Sequence, residues 1–210
     1  GITTTINLSY GNKKIVDGAG FLLNNEMDDF ASSPGSQNAF GLIGYEANSI
    51  KPAKRPLSSM SPTIVLTPEG EPLMTIGAAG GSRIITTVLQ VIISVVDHNL
   101  SVQDAINLGR THSQWIPDVI RYEGKNKMNT EFNQFLPSLS EKQISELEEL
   151  DHKFEDGNVE SGMYYLARAH GIMYKNGQFF TGVDWRGNGE ISDGITVSYT
   201  HLTLPTKNEV

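Results

Sequence analysis

The segment that most restricts the fold is an apolar run that follows two short strand-like patterns. From Ser82 onwards, apolar residues recur with a helical period at Ile84, Ile85, Val88, Leu89, Ile92 and Val96. Before it, Thr63–Leu66 and Leu73–Ile76 have the pattern of two strands joined through a turn at Pro68–Gly70. Polar residues interrupt the run, which is shorter than the roughly 20 apolar residues of a membrane span. The sequence predicts a buried helix after a hairpin, and no membrane span.

Two further helices are predicted from capping signals. The segments Ser101–Asp104 and Ser140–Gln143 have the composition and three-residue spacing of capping boxes. We expect the first helix to continue through about Leu108 and the second through about Phe154.

Strands are predicted towards both ends of the chain. Residues 2–10 alternate and are rich in Thr and Ile, which favours a half-buried strand. Later strands are predicted at Met163–Ala169, Gly171–Tyr174 and Gln178–Thr181. Between the first strand and the hairpin, residues 31–56 are rich in Gly and Pro and predict a long loop, of the kind that is usually functional or mobile. This order of elements indicates an α+β fold class.

Charge and residue content exclude several classes of function. The 16 basic and 24 acidic residues give a net charge of -8, which disfavours a nucleic-acid partner. The chain has no cysteine, so disulfides, thiolate catalysis and cysteine-based zinc sites are excluded. The histidines lack metal-ligand spacing. A segment from Asp184 superficially resembles a calcium loop, but Arg186 and Ile195 stand where oxygen ligands are required, so calcium binding is excluded there. We expect neither a metal nor a cofactor.

An acidic cluster follows the apolar residues Phe21–Leu23. The segment Asn24–Phe30 holds two amides and three carboxylates, those of Glu26, Asp28 and Asp29. Like charges this close raise one another's pKa unless a cation or hydrogen-bond donors compensate. One interpretation is a solvated turn, and the other is a site for a cation such as a substrate ammonium group.

A second polar cluster, Arg55–Pro62, places two adjacent hydroxyls after a basic stretch. Ser58 and Ser59 fit a serine turn or cap, which is the commoner role of such pairs. They also fit a carboxylate-binding site, to which Lys54 and Arg55 would add positive charge. An amino-acid head group carries both the ammonium and the carboxylate that the two polar clusters would bind.

A pair of glycines, Gly80 and Gly81, precedes the apolar helix. Glycines at such a turn let the backbone approach a ligand closely, and helix N-terminal amides attract anions. An oxyanion hole is one use of this arrangement. A phosphate cradle is another, although Ser82-Arg83 replaces the Lys-Ser/Thr of a P-loop. A tightly packed turn without a ligand is the third interpretation.

Three long motifs stand in order at Leu22–Phe30, Lys54–Ile64 and Gly77–Thr87. Together they resemble the small, C-terminal subunit of the γ-glutamyltranspeptidases (γ-glutamyltransferases, glutathione hydrolases). Gln114–Asp118 extends the resemblance. Val183–Gly187 is similar to the family's closing Asp-Pro-Arg segment, with Trp in place of Pro.

The resemblance implies an N-terminal-nucleophile hydrolase, an α+β four-layer αββα sandwich with two antiparallel sheets between helical layers. A precursor cleaves itself, and the new N-terminal Thr of the small subunit attacks the γ-glutamyl amide with its own α-amine as base. The glutamyl group then passes to water, an amino acid or a peptide. The implied partners are the large subunit of the same precursor, in a heterodimer, and a small γ-glutamyl substrate such as glutathione. The implied location is periplasmic or extracellular.

The resemblance also assigns roles to individual residues. The α-amine of the substrate head group would be bound by Asn7, Glu26 and Asp29. The α-carboxylate would be bound by Ser58 and Ser59. Three residues would have catalytic roles: Gly80 and Gly81 through oxyanion-hole amides, and Thr5 by orienting the nucleophile.

The chain departs from the family pattern in several places. The nucleophilic Thr and its strand belong upstream of Gly1, so we expect a truncated chain that lacks the first strand and the large subunit and is inactive alone. Phe40 stands where many relatives have a Tyr in the loop over the active site. The end of the chain resembles translated sequencing-adapter DNA. We therefore expect a catalytic domain over residues 1–196 and an unstructured, artefactual tail over 197–210.

Two other functions stay open on the sequence. A chain that lost its nucleophile by evolution rather than by truncation would be a non-catalytic amino-acid-binding module. The second open function is that of a phosphate-binding or scaffold domain built on the Gly80-Gly81 turn.

Overall fold

The structure, a computed structural model, describes residues 3–8, 10–124, 138–156 and 166–186. The chain divides into two compact units, one over residues 2–61 and the other from residue 62 onwards. We call them the N-terminal unit and the C-terminal unit. The predicted tail and the predicted domain end at residue 196 lie outside the described residues and stay predictions.

The described part of the N-terminal unit is built from turns and isolated bridges. Its regular elements are two 3₁₀ turns, Glu26–Asp29 and Glu46–Asn48. Isolated bridges link Ile15 to Leu22, Ala31 to Ser49 and Gln37 to Ile43. Phe30 and Ala31, directly after the first turn, are buried. The long region 31–56 is therefore an irregular loop with internal backbone pairing, as the sequence predicts.

The predicted strand over residues 2–10 is wrong in its described part. Asn7 and Tyr10 have φ angles of 71° and 64°, in the left-handed region that strands do not use. The backbone N–H of Asn7 donates to Thr5 Oγ1 at 2.8 Å, and that of Leu8 donates to Asn25 Oδ1 at 3.0 Å. Side chains thus take the hydrogen bonds that a neighbouring strand would supply, which is how polar side chains compete with sheets.

The C-terminal unit contains seven strands and three helices among its described residues. The strands are β1 (Thr63–Leu66), β2 (Pro72–Ala79), β3 (Thr111–His112), β4 (Ile120–Tyr122), β5 (Phe154–Asp156), β6 (Arg168–Lys175) and β7 (Gln178–Val183). The helices are α1 (Arg83–Val96), α2 (Val102–Asn107) and α3 (Glu141–Glu148). One sheet has the order β1-β2-β6-β7 and is antiparallel throughout. The other has the order β3-β4-β5, with β4 and β5 parallel.

The predicted hairpin is confirmed as β1 and β2, which pair antiparallel. However, β2 runs beyond the predicted Ile76 to Ala79, so the glycine pair Gly80 and Gly81 follows the strand directly. The strands predicted on either side of His170 form one strand, β6, while Leu166 and Ala167 lie outside it. Residues 163–165 are outside the described part. The continuous β6 follows from its pairing with β2 on one side and β7 on the other.

All three predicted helices are confirmed, one with a shorter span. Ser101 caps α2 by accepting from the N–H of Asp104 at 3.0 Å. Ser140 and Gln143 form the predicted reciprocal capping box of α3. That helix ends at Glu148 rather than near Phe154, because Asp151 has a left-handed φ of 65°.

The core of the C-terminal unit lies between the four-stranded sheet and helices α1 and α2. Its fully buried side chains include Met74, Ile76 and Val91. Helix α2 approaches the sheet closely, since a Cβ on Gly182 of β7 would lie 2.7 Å from Ile106 Cδ1. The layered packing leaves the turn between β2 and α1 at one end of the sheet.

Candidate functional site

The acidic turn Glu26–Asp29 contains two buried carboxylate oxygens for which the described part of the chain supplies no hydrogen-bond donor. Asp29 is only 7% exposed, and Glu26 is half-buried. Among the residues that the structure describes, neither Glu26 Oε1 nor Asp29 Oδ2 has a hydrogen-bond partner, although both atoms are buried. Buried acceptors of this kind cost free energy unless a ligand or donor satisfies them.

Glu26 lies close to both Asp29 and Ser59. Burial raises the pKa of the Glu26 carboxyl, the neighbouring Asp29 raises that pKa further, and the Ser59 hydroxyl lowers it. Three residues predicted for head-group binding, two from the acidic cluster and one from the serine pair, are therefore neighbours in the N-terminal unit. A cation bound between the two carboxylates would favour their charged forms.

Asn7 is fixed to the acidic turn through Asn25. The Nδ2 of Asn7 donates to the backbone oxygen of Asn25 at 3.2 Å. The Nδ2 of Asn25 donates in turn to Asp28 Oδ2 at 2.7 Å. Thr5 is bonded to Asn7, whose N–H it accepts. Asp28 is thus exposed and stabilises the turn through its bond to Asn25. The carboxylate oxygens without a donor among the described residues belong to Glu26 and Asp29.

The two serines have different surroundings. Ser58 is exposed, and its Oγ donates to the backbone oxygen of Met60 at 2.8 Å. Ser59 is half-buried beside Glu26. The ammonium of Lys54 donates to the backbone oxygens of Ala47 at 2.6 Å and Ser49 at 2.9 Å. Lys54 therefore stabilises the loop. The sequence had suggested a different role, in which Lys54 adds positive charge to a carboxylate-binding site.

In the C-terminal unit, the predicted glycine pair forms the turn that starts α1. Gly80 has φ 149° and Gly81 has φ 61°. A Cβ on Gly80 would lie 2.6 Å from both Cα and Cβ of Ala167. The oxygen of Gly81 accepts from the N–H of Ile84 at 3.1 Å, so helical pairing begins at this turn. Only glycine fits at Gly80 without displacing backbone.

Sequence reasoning missed a buried ion cluster in the C-terminal unit. Its four members are at most 2% exposed: Arg110, Glu123, Asp184 and Arg186. Arg186 binds Glu123 through Nε at 2.8 Å and Nη2 at 2.6 Å, and reaches Asp184 Oδ1 through Nη1 at 3.1 Å. Arg110 Nη2 donates to Asp184 Oδ2 at 2.7 Å. Burial alone would raise the pKa of Asp184, but the charges of Arg110 and Arg186 outweigh it and lower that pKa.

The ion cluster holds the backbone that packs against Gly80. Arg110 Nη1 donates to the oxygens of Leu166 at 3.1 Å and Ala167 at 2.9 Å. Asp184 Oδ2 accepts from the N–H of Ala169 at 2.6 Å. The segment on which the glycine turn rests is thus fixed by charge-assisted hydrogen bonds. Asp184-Trp-Arg186 was visible in the sequence as a motif, but no local pattern pointed to Arg110 or Glu123.

Over the described ranges, no group of three or more His, Asp or Glu side chains is arranged to hold a metal ion. No helix in that same part of the chain is long and apolar enough to cross a bilayer.

The chain matches known proteins over most of its length. A family model described as gamma-glutamyltranspeptidase matches residues 1–194. The glutathione hydrolase proenzyme of Escherichia coli is 49% identical over 122 residues, which are 58% of this chain and 21% of that protein. The corresponding proenzyme of Pseudomonas aeruginosa is 39% identical over 188 residues, 89% of this chain and 31% of that protein. The chain thus spans less than a third of the length of these relatives.

A solved structure gives the same result for the fold. The T380A mutant of Helicobacter pylori γ-glutamyltranspeptidase superposes with a TM-score of 0.74 at 40% identity, covering 89% of this chain and 92% of that one. This likeness confirms the predicted fold class, the α+β N-terminal-nucleophile hydrolases. With a family model over residues 1–194 and these relatives, the chain belongs to the γ-glutamyltranspeptidase family.

Proposed function

We propose that this chain supplies substrate-binding and oxyanion-stabilising groups to an enzyme that cleaves γ-glutamyl amides such as glutathione. The supporting observation is the pair of buried oxygens, Glu26 Oε1 and Asp29 Oδ2, which have no donor within the described residues. An α-ammonium group offers positive charge and three N–H donors, the chemistry that these oxygens need. The similarity to glutathione hydrolase proenzymes supports a γ-glutamyl group as the rest of the substrate.

The α-amine of the glutamyl group binds to Glu26, Asp29 and Asn7 in this proposal. The two carboxylates supply the charge, and the side-chain oxygen of Asn7 supplies a neutral acceptor while its Nδ2 stays bonded to Asn25. Burial and the neighbouring Asp29 raise the pKa of Glu26, and a bound ammonium would offset both effects by favouring the charged carboxylate.

The α-carboxylate binds to the hydroxyls of Ser58 and Ser59. Ser59 already lies beside Glu26, so a head group of amino-acid size spans from the acidic turn to this hydroxyl. Ser58 must release its bond to the oxygen of Met60 to donate to the carboxylate. An exposed hydroxyl rotates at small cost, since its own hydrogen bond contributes only about 1 kcal/mol.

The reaction proceeds through a γ-glutamyl-threonine ester. The nucleophile is an N-terminal Thr upstream of this chain, activated by its own α-amine and oriented by Thr5. The amides of Gly80 and Gly81 stabilise the oxyanion of the tetrahedral intermediate, where removing one such donor typically costs about 10²–10³ in kcat. Water, an amino acid or a peptide then accepts the glutamyl group.

The remaining parts of the enzyme lie outside this chain. We infer that the sequence is a portion of a self-cleaving precursor, and that its partner is the large subunit of the same precursor in a heterodimer. The relatives' description as proenzymes supports this inference. A periplasmic or extracellular location is part of the same proposal.

The test uses the full-length protein that contains this chain. We expect it to mature into two subunits and to release p-nitroaniline from γ-glutamyl-p-nitroanilide, and glutamate to compete with that substrate. Binding of glutamate without turnover, in a protein shown to lack the Thr, would favour the amino-acid-binding module instead. Binding of inorganic phosphate but not glutamate would favour a phosphate-binding domain.

A further inference from the structure

Asn48 connects the two polar clusters of the N-terminal unit through a single side-chain amide. Its Nδ2 donates to the backbone oxygen of Asp29 at 2.7 Å. Its Oδ1 accepts from the backbone N–H of Leu57 at 3.0 Å. The first bond reaches the last residue of the acidic turn, and the second reaches the residue immediately before Ser58. One planar amide therefore fixes the distance between the two backbones.

The backbone of Asn48 strengthens this connection. Its oxygen accepts from the N–H of Ala31 at 3.0 Å, so Asn48 contacts the chain after the acidic turn at two points. Asn48 ends the 3₁₀ turn Glu46–Asn48, where Lys54 bonds to the oxygens of the flanking residues Ala47 and Ser49. The amide thus stands on backbone that is itself held in place.

We infer that Asn48 is a positioning residue that sets the separation between the ammonium-binding and carboxylate-binding groups of the head-group site. This inference rests on the proposed function, since it assumes that Glu26 and Asp29 bind the amine and the serines bind the carboxylate. Asn48 makes no contact with substrate in this scheme. It makes the site selective for ligands that carry both charged groups at the spacing of an α-amino acid.

The chemistry of the amide explains why asparagine is suited to this position. The side chain must donate at one end and accept at the other, at the same time and over a short distance. Aspartate has the same shape but cannot donate to the oxygen of Asp29, and its negative charge would face that oxygen. Asn48→Asp therefore keeps the bond to Leu57 and breaks the connection to the acidic turn.

The experiment measures inhibition constants against γ-glutamyl-p-nitroanilide in the full-length enzyme. Three inhibitors are compared: glutamate, 4-aminobutyrate, which lacks the α-carboxylate, and glutarate, which lacks the α-amine. In Asn48→Asp we expect the constant for glutamate to rise about tenfold, the loss of one hydrogen bond or ~1.4 kcal/mol. The constants for 4-aminobutyrate and glutarate, which use only one end of the site, should change less than about threefold.

A matched control tests for general effects of the added charge. Asn12 is exposed in the same unit, and its Oδ1 accepts from the N–H of Lys14 at 2.9 Å. Asn12→Asp keeps that acceptor and should leave all three constants unchanged. If Asn48→Asp does not fold, Asn48→Gln replaces it, because Gln keeps both groups but displaces them by one methylene. The fraction of active enzyme, measured by titration with a covalent inhibitor, separates lost folding from changed affinity.

The outcomes distinguish the inference from the proposed function. A selective rise for glutamate supports both. If the inhibition constants of all three inhibitors rise equally, or none rises, the positioning role of Asn48 is overturned. The proposed function still stands in that case, provided that the wild-type enzyme prefers glutamate. A wild-type enzyme that does not prefer glutamate over the two truncated inhibitors overturns the proposed function and the inference together.

Discussion

A Cβ atom placed on Gly80 would lie 2.6 Å from the Cα of Ala167, within the C-terminal unit. Ala167 cannot easily yield, since its backbone oxygen accepts from the buried guanidinium of Arg110 at 2.9 Å. The turn at the start of α1 therefore packs against backbone that the buried ion cluster holds through hydrogen bonds.

Gly80→Ala should lower kcat of the full-length enzyme by at least about a hundredfold, the usual cost of disturbing one oxyanion donor. The added methyl meets backbone, and the φ of 149° is strained for alanine. Gly70→Ala is the control, because Gly70 also has a positive φ, of 90°, but has open space around it. Equal kcat values for the two variants would argue against an oxyanion role for this turn.

Asp29→Ala should reduce kcat/KM by about a hundredfold, because a buried charged contact to substrate is worth roughly 3 kcal/mol. Asp28→Asn serves as the control, since it removes one negative charge from the same turn but keeps an acceptor for Asn25. Steady-state kinetics with γ-glutamyl-p-nitroanilide provide the measurement. A loss under about threefold for Asp29→Ala would mean that Asp29 does not contact the ammonium.

Glu26→Gln should remove a pH dependence of KM. Burial and the neighbouring Asp29 raise the pKa of Glu26, so the carboxyl is protonated to a higher pH than an exposed glutamate. Since the ammonium binds the charged form, KM in the wild type falls as pH rises through that raised pKa. The variant should have a higher KM above this pKa and a flatter profile. Identical pH profiles for the two proteins would contradict the assignment of Glu26 to the amine.

Arg186→Ala should destabilise the full-length protein by about 3–5 kcal/mol, because it removes the ion-pair partner of the buried Glu123 and leaves Asp184 with Arg110 alone. Its partners Glu123 and Asp184 are fully buried. Arg121→Ala is the matched control, since Arg121 pairs with a partly exposed Glu155 at 2.9 Å and such pairs contribute about 1 kcal/mol or less. Urea denaturation compares the two variants, and equal losses of stability would rule out a structural role for the cluster.

Regular elements with local signals could be predicted from the sequence. The period of α1, the caps at Ser101 and Ser140, and the hairpin of β1 and β2 depend on neighbouring residues, so a linear pattern contains them. The strand predicted over residues 2–10 was wrong because a local pattern does not show which partner a backbone N–H group will find. Their alternation suits a strand, but the described backbone satisfies its N–H groups with side chains of Thr5 and Asn25.

The sites were only partly accessible to sequence reasoning. The motifs around Asp29 and Ser59 could be recognised, and the structure places Ser59 beside the acidic turn. Asn48 and Arg110 could not be recognised, because their roles depend on partners distant in the chain. Arg110, for example, binds Asp184 at a separation of 74 residues. The sequence around an arginine does not show whether its side chain is buried, because its counter-ion can lie far away in the chain.

The buried cluster joins residues that are made at different times during synthesis, since Arg110 and Asp184 are 74 positions apart. Arg110 leaves the ribosome well before Asp184, so its guanidinium obtains this carboxylate partner only after the later segment has been made. A chain that ended before these residues would keep Glu123 near Arg110 but would lack the carboxylate that bonds directly to the guanidinium. Because the same guanidinium also holds the backbone oxygens of Leu166 and Ala167, truncation before Asp184 would be expected to weaken the C-terminal unit well away from the cut.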